Sequence, residues 1–350
     1  VWLCSQPARE PRERAALLRA ADNRAEKLLA KWEKISPLLI KKEKIGLYKE
    51  ERSTREREAD AILADLKAKD RFVIFPGDQD YPHEEFRFLS APPIVLFGEG
   101  NRALMKTEKF CIVGSRILPP WAEKKGRAIA ESVARRFTVV TGLAEGGDSA
   151  AIAGAIGSGK LISVLPSGLD NCYPAAHTAL KERVKESGLV LSEYPLKEKA
   201  KRYSFHARNR LLAALANRGT LVLAAGERSG TLITAHAALE YGREVFALPY
   251  NVGAAQGEGC NELIKTGAHL TTGAEDIFSL YGIELRTEPK QDLPPEEEKV
   301  LGVLREAGEL HVSEIAERAG MRIYEAAAVL SALEIKNLAV KSGGNRYGAV

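Results

Sequence analysis

Residues 203–210 read YSFHARNR, which brings Tyr203, Phe205, His206, Arg208 and Arg210 into eight positions. Aromatic rings offer flat apolar faces. Guanidinium groups offer a fixed fork of N–H donors suited to oxyanions. A ligand that is both planar and anionic satisfies both kinds of side chain, and nucleic acid is one: bases stack on rings while phosphates pair with cations. The competing reading is a solvated loop with two buried rings. The neighbourhood weighs against it, because Lys197, Lys199, Lys201, Arg202, Arg208, Arg210 and Arg218 face the single acid Glu198 within 197–218.

Three other short stretches have matching chemistry. Gly114, Ser115 and Arg116 follow the apolar run FCIV, where a glycine permits close approach and the serine and arginine offer donors to phosphate. GLAEGGD (142–148) follows TVVT, and GERSGT (226–231) follows LVLAA, placing Ser229, Gly230 and Thr231 at a helix start. Each turn alone is more often a tight turn than a ligand site. Together on one rim they would form a continuous anion-binding shelf. The spacing fits neither the dinucleotide fingerprint nor a P-loop, so a dehydrogenase or kinase is poorly supported. Asp148 has an alternative role as a helix N-cap, and so does Asn209.

These residues need a frame that gathers them. Between about 108 and 284, apolar β-type runs (FCIVG, TVVTG, LISVLP, LVLSEYP, LVLAAG, EVFALP) alternate with helical stretches. That alternation predicts a mostly parallel, doubly wound sheet covered on both faces. Its ligand sites lie at the carboxyl ends of the strands, where all the quoted turns fall. The octet is read as a connector before a helix starting near Asn209. Residues 8–70 are charge-rich with helical spacings, and 72–101 add two short β-type runs, FVIF and IVLF. EPKQDLPPEEE is a polar linker. Residues 296–350 show three helical patterns and a terminal hairpin with helix-turn-helix spacing.

Hydrophobic residues at 45% and charged residues at 28% describe a globular chain, whose 350 residues exceed the usual single core. A formal charge of +4 carries information only where it is clustered. Cys4, Cys111, Cys172 and Cys260 are scattered without metal-ligand spacing, which points to reduced thiols, a cytoplasmic setting and no metal or other cofactor. No apolar run is long enough to span a bilayer, so no membrane partner is expected. The start VWLCSQPARE lacks signal-peptide regions, and the missing initiator Met hints at a trimmed or partial N-terminus.

With these motifs in order, the chain resembles the DNA-processing protein A family (DprA/Smf). The resemblance rests on YP at 81–82, APPIVLFGEGN at 91–101, IVGSR at 112–116, GLAEGGDSAA at 142–151, VLPSGLDNCYP at 164–174, LSEYP at 191–195, FHARNR at 205–210, ERSGTLITAHAALEYGREVFALP at 227–249 and GCNELIKTGAHL at 259–270. It implies an extended Rossmann-type domain that binds single-stranded DNA, forms a homodimer and hands DNA to the RecA recombinase. It also places Arg116, Phe205, Arg208, Asn209 and Arg210 at nucleic-acid pocket positions, with Lys201 and Arg202 adding charge. The chain departs from the family pattern at Glu145, Gly147, Ile152 and Tyr250. The N-terminal helices resemble a sterile-alpha-motif-like domain by position, and the C-terminal zone resembles a winged helix.

The expectation is therefore an α/β chain: a helical region over 1–70, an extended Rossmann-type DNA-binding domain over 71–287, a linker over 288–295 and a winged-helix-like module over 296–350. Its expected function is non-enzymatic: sequence-independent binding of incoming single-stranded DNA and RecA loading during natural transformation. The expected DNA-binding residues are Gly114, Ser115, Arg116, Lys201, Arg202, Phe205, Arg208, Asn209, Arg210, Ser229, Gly230 and Thr231. One alternative is an enzyme acting on a nucleotide or nucleoside phosphate, with Glu145, Asp148 and Glu193 as the only ready acids or bases. Another is a duplex-binding regulator using the C-terminal module. Its third helical pattern, RIYEAAAVLSALEIKN, is acidic and alanine-rich, which favours protein contact or structural support there.

Overall fold

A computed structural model describes residues 52–284, 293–336 and 338–349. Most of the 1–70 region and the core of the linker lie outside the described residues. The chain divides into two compact units between Ile283 and Glu284.

The first unit begins with α1 (Arg52–Ala68), β1 (Arg71–Ile74), α2 (His83–Phe86) and β2 (Leu96–Gly100). An alternating series follows: β3 (Lys109–Val113), α3 (Pro120–Arg136), β4 (Thr138–Thr141), α4 (Gly147–Ala155), β5 (Leu161–Leu165), α5 (Thr178–Ser187), β6 (Leu189–Ser192), α6 (Arg202–Leu215), β7 (Thr220–Val222), α7 (Gly230–Glu240), β8 (Val245–Ala247), α8 (Glu258–Lys265), β9 (His269–Leu270) and α9 (Ala274–Leu280). The strands form one sheet in the order β1-β2-β6-β5-β4-β3-β7-β8-β9. Only the β1–β2 and β2–β6 pairings are antiparallel. Every residue of β3, β4, β5 and β6 is buried, because helices cover both faces, and this is why those runs are continuously apolar rather than alternating. The two-residue β9 carries too little periodicity to be legible in the sequence.

Strand β3 sits where the winding reverses. From β3 the chain adds β4, β5 and β6 outward on one side, then crosses to lay down β7, β8 and β9 on the other. The loops leaving β3 and β7 therefore diverge at their carboxyl ends and open a crevice, the ordinary ligand position in such sheets.

Buried charge gathers on the first two strands of the sheet. Glu99 of β2 is buried and bridges Arg71 at 2.7 Å and Lys181 at 2.7 Å. Arg71 also reaches Asp170 at 2.6 Å.

The second unit comprises α10 (Pro295–Ala307), β10 (Leu310–His311), α11 (Val312–Arg318), α12 (Ile323–Ile335), β11 (Ala339–Ser342) and β12 (Arg346–Ala349). Its sheet runs β10-β12-β11, so the expected terminal hairpin gains a third short strand. Val300, Leu301, Leu304, Ile315, Leu330 and Leu333 form its core. On α12, Ile323, Tyr324 and Ile335 are exposed.

Candidate nucleic-acid interface

A cleft of about 620 Å³ opens at the carboxyl ends of β3 and β7. Its walls come from the turn after β3, the β4–α4 turn, the loop after β5, one face of α6 and the start of α7. Of the residues expected to bind DNA, all except Arg210 line it.

The turns hold one another by backbone contacts that glycine permits. Ser115 N–H donates to Ala224 O at 2.9 Å, and Gly147 N–H donates to Ser115 O at 3.1 Å. Gly146 adopts φ +70°, and a Cβ there would run into the backbone carbonyls of Ser115 and Arg116. Gly147, one of the departures from the family pattern, packs against the Gly114 backbone with no room for a Cβ. Ser115 and Ser229 place their hydroxyls 3.3 Å apart, and Ser229 caps α7 by accepting from Thr231 N–H at 3.2 Å. The start of this helix, with the positive end of its dipole, favours an anion. The Glu145 side chain is exposed and does not line the cleft.

Helix α6 starts at Arg202, not at Asn209. The octet is thus helical rather than a connector, and helical geometry sorts its members. At 3.6 residues per turn, Lys201, Arg202, Arg208, Asn209 and Leu212 lie within ~60° of Phe205, and these six line the cleft. Arg210 and Tyr203 point ~140–160° away. Arg210 pairs with Glu193 at 2.5 Å, and Tyr203 is exposed beside Lys201. Arg210, expected as a DNA-binding residue, is here engaged by a carboxylate from the end of β6, 17 residues earlier in the chain, and lies outside the cleft lining. Asn209 caps no helix. Its amide donates to Gly230 O at 3.3 Å and ties α6 to α7.

Arg208 lines the floor of the cleft but is buried, donating to Val164 O at 2.6 Å and to Asn209 Oδ1 at 3.1 Å. Asp148 is buried beside it and accepts from Ala144 N–H at 3.1 Å. Gly142 abuts both side chains, so a Cβ there would strike the carboxylate and the guanidinium. Burial raises the Asp148 carboxyl above its ordinary value, while Arg208 opposes the shift. Asp148 is not the N-cap of α4, a position held by Gly146; it secures the turn before the helix instead. Arg208 is thus internally engaged, with Asp148 arriving from the first turn of α4.

The remaining cation is differently placed. Arg116 is exposed and makes no ion pair among the described residues. Its Cζ lies 5.6 Å from the Phe205 ring centre and 5.8 Å from that of Tyr173. Those rings meet edge to face at 5.2 Å and 77°. Tyr173 is 44% exposed, and Phe205 is half-buried. Arg202 is also exposed, whereas Lys201 shares its charge with Glu198 at 2.5 Å. His206 of the octet also lines the cleft, as does Tyr173, which was not singled out from the sequence. The signal for Tyr173 was present: an aromatic in the loop after β5, on the same rim as the three turns. Among the described residues no group of three or more His, Cys, Asp or Glu is arranged to hold a metal, and no helix is long and apolar enough to cross a membrane.

Comparison with known proteins agrees with this architecture. Residues 284–345 match the DprA winged helix domain. The chain is 37% identical over 224 residues to the DNA processing protein DprA of Streptococcus pneumoniae, covering 63% of this chain and 79% of that protein. The X-ray structure of the Streptococcus pneumoniae DNA processing protein A superposes with a TM-score of 0.69 at 30% identity, covering 81% of this chain and 97% of the other. The DNA processing protein A of Helicobacter pylori, whose structure is described as giving insight into a unique single-stranded DNA binding mode, matches with a TM-score of 0.55 at 29% identity, covering 61% and 96%. Residues 72–282 match the DNA recombination-mediator protein A family, and the chain belongs to it.

Proposed function

We propose that this chain binds single-stranded DNA without sequence preference in the switch-point cleft, and that it delivers the strand to the RecA recombinase. The observation that carries the reading is Arg116: an exposed guanidinium with no carboxylate partner among the described residues, held against two aromatic rings beside the capped start of α7. A phosphate takes Arg116, Arg202 and the N–H groups near Gly230, while a base stacks on Phe205 or Tyr173. The Helicobacter pylori relative, with its single-stranded DNA binding mode, supports the choice of ligand. The family description as a recombination mediator supports the hand-off. In this reading the protein works without catalysis, as a homodimer in the cytoplasm. The Rossmann-type domain (71–287) holds the strand, and the winged-helix module (296–350) contacts protein or lends support.

Titration with oligothymidine across salt concentrations tests the binding. Affinity should fall steeply with salt and exceed that for duplex of equal length. Equal preference for duplex, or no salt dependence, overturns it. RecA filament assembly on oligothymidine, followed with and without the chain, tests delivery. Light scattering at micromolar concentration tests the dimer.

A further inference from the structure

Five residues beyond Arg116, at the start of α3, Trp121 is 49% exposed although it is one of the largest apolar side chains in the unit. One side of its indole rests on Tyr250, with ring centres 4.8 Å apart and planes at 57°. Tyr250 is itself fixed. Its hydroxyl donates to Leu223 O at 2.8 Å, and Asn261 brackets its backbone with two hydrogen bonds of 3.0 Å. Gly257 lies against the Tyr250 ring with no room for a Cβ. Trp121 is thus a rigid half-exposed ring on a rigid support.

Its position adjoins the cleft. Leu223 O anchors Tyr250, and the next carbonyl, Ala224 O, accepts from Ser115 N–H at 2.9 Å. One short segment after β7 therefore carries both the Trp121 support and the turn that presents Arg116. Ile117, between Arg116 and Trp121, is 77% exposed. Lys124 and Lys125 follow Trp121 at i+3 and i+4, on the same side of α3. Both are exposed and form no ion pair among the described residues. An exposed ring with unpaired cations one turn away repeats the chemistry of the Arg116 cluster.

We infer that Trp121, with Lys124 and Lys125, is a second station for single-stranded nucleic acid: the strand leaves the cleft past Arg116 and Ile117, stacks a base on the indole and passes its phosphates over the two lysines. The unpaired lysines favour a polyanion over a second copy of this chain as the occupant. The inference rests on the proposed binding of single strands in the cleft.

The test uses the full chain with Trp2→Phe and Trp32→Phe, so that Trp121 alone reports by fluorescence. Long oligothymidine should quench it, and an oligomer just long enough to fill the cleft should not. Trp121→Leu should weaken binding of the long oligomer about 5- to 150-fold, the range expected for one stacked base, and leave the short one unchanged. Trp121→Phe should recover most of the loss. Lys124→Ala with Lys125→Ala should lower the salt slope for the long oligomer by up to about 1.4, at roughly 0.7 per phosphate. If the parent binds long oligothymidine while Trp121→Leu binds it equally and fluorescence is unmoved, this inference alone is overturned. If Trp121→Leu turns a dimer into a monomer without changing binding, the occupant is a second copy and the inference also fails. If the parent binds neither oligomer, the proposed function falls and takes this inference with it.

Discussion

Replacing Arg208 by Met separates two roles that its sequence context cannot distinguish. The guanidinium is buried, donates to the Val164 carbonyl and acts electrostatically on the buried Asp148 carboxyl without a direct ion pair, so removing it leaves that carboxyl without its nearby positive charge. Leaving a buried polar group without its partner costs about 1–3 kcal/mol, more for a charged group. For a unit of this size the loss corresponds to a Tm lower by roughly 5–10 °C. The pH dependence follows from the raised Asp148 pKa. A carboxyl whose folded pKa exceeds its unfolded value contributes stability below the unfolded value and loses it as pH rises through the folded one. Without Arg208 that folded value rises further. The Tm gap between Arg208→Met and the parent should therefore be widest near pH 8 and narrow toward pH 5. Combining it with Asp148→Asn should recover much of the loss, because no lone charge then remains buried. Differential scanning calorimetry at both pH values, beside an oligothymidine titration, reads all of this. A variant that melts within about 2 °C of the parent, yet loses about 0.7 from its salt slope, would make Arg208 a phosphate ligand and refute the buried-pair account.

Arg116→Ala should weaken oligothymidine binding and lower the salt slope by about 0.7 with Tm unchanged, whereas Arg210→Ala should leave the slope intact, since Glu193 already neutralises that charge; paired salt titrations compare them. Phe205→Ala should cost about 1–3 kcal/mol of binding with little change in slope, because stacking releases no counterion; a Tm drop of several degrees that accounts for the lost binding would instead mark it as a packing residue. Gly142→Ala should destabilise the unit by driving a methyl into the Asp148–Arg208 pair, lowering Tm by more than Gly157→Ala, where nothing lies within 4 Å. Equal melting of the two alanine variants would remove the close-packing argument.

The sequence by itself determined the class of fold and the rim on which chemistry gathers. Continuous apolar runs such as FCIV and LISVL, separated by helical stretches, leave a parallel sheet buried on both faces as the consistent arrangement, and the glycine and hydroxyl turns then fall at one edge. It also marked Arg116, Phe205 and Ser229 for the cleft through residue type and position after strands. It did not decide which cations are free. The local excess of seven bases over one acid around the octet shrinks on folding, because Glu193 arrives from the end of β6 to pair with Arg210 and Asp148 from the first turn of α4 to lie beside Arg208. Nor could an octet read as a connector say which side chains share a face. Once helix α6 begins at Arg202, a rotation of 100° per residue turns Phe205 and Asn209 into the cleft and Arg210 out of it. Charge and aromaticity are properties of residues, and the sequence states them. Pairing and facing are relations between distant segments, and only the tertiary structure fixes those.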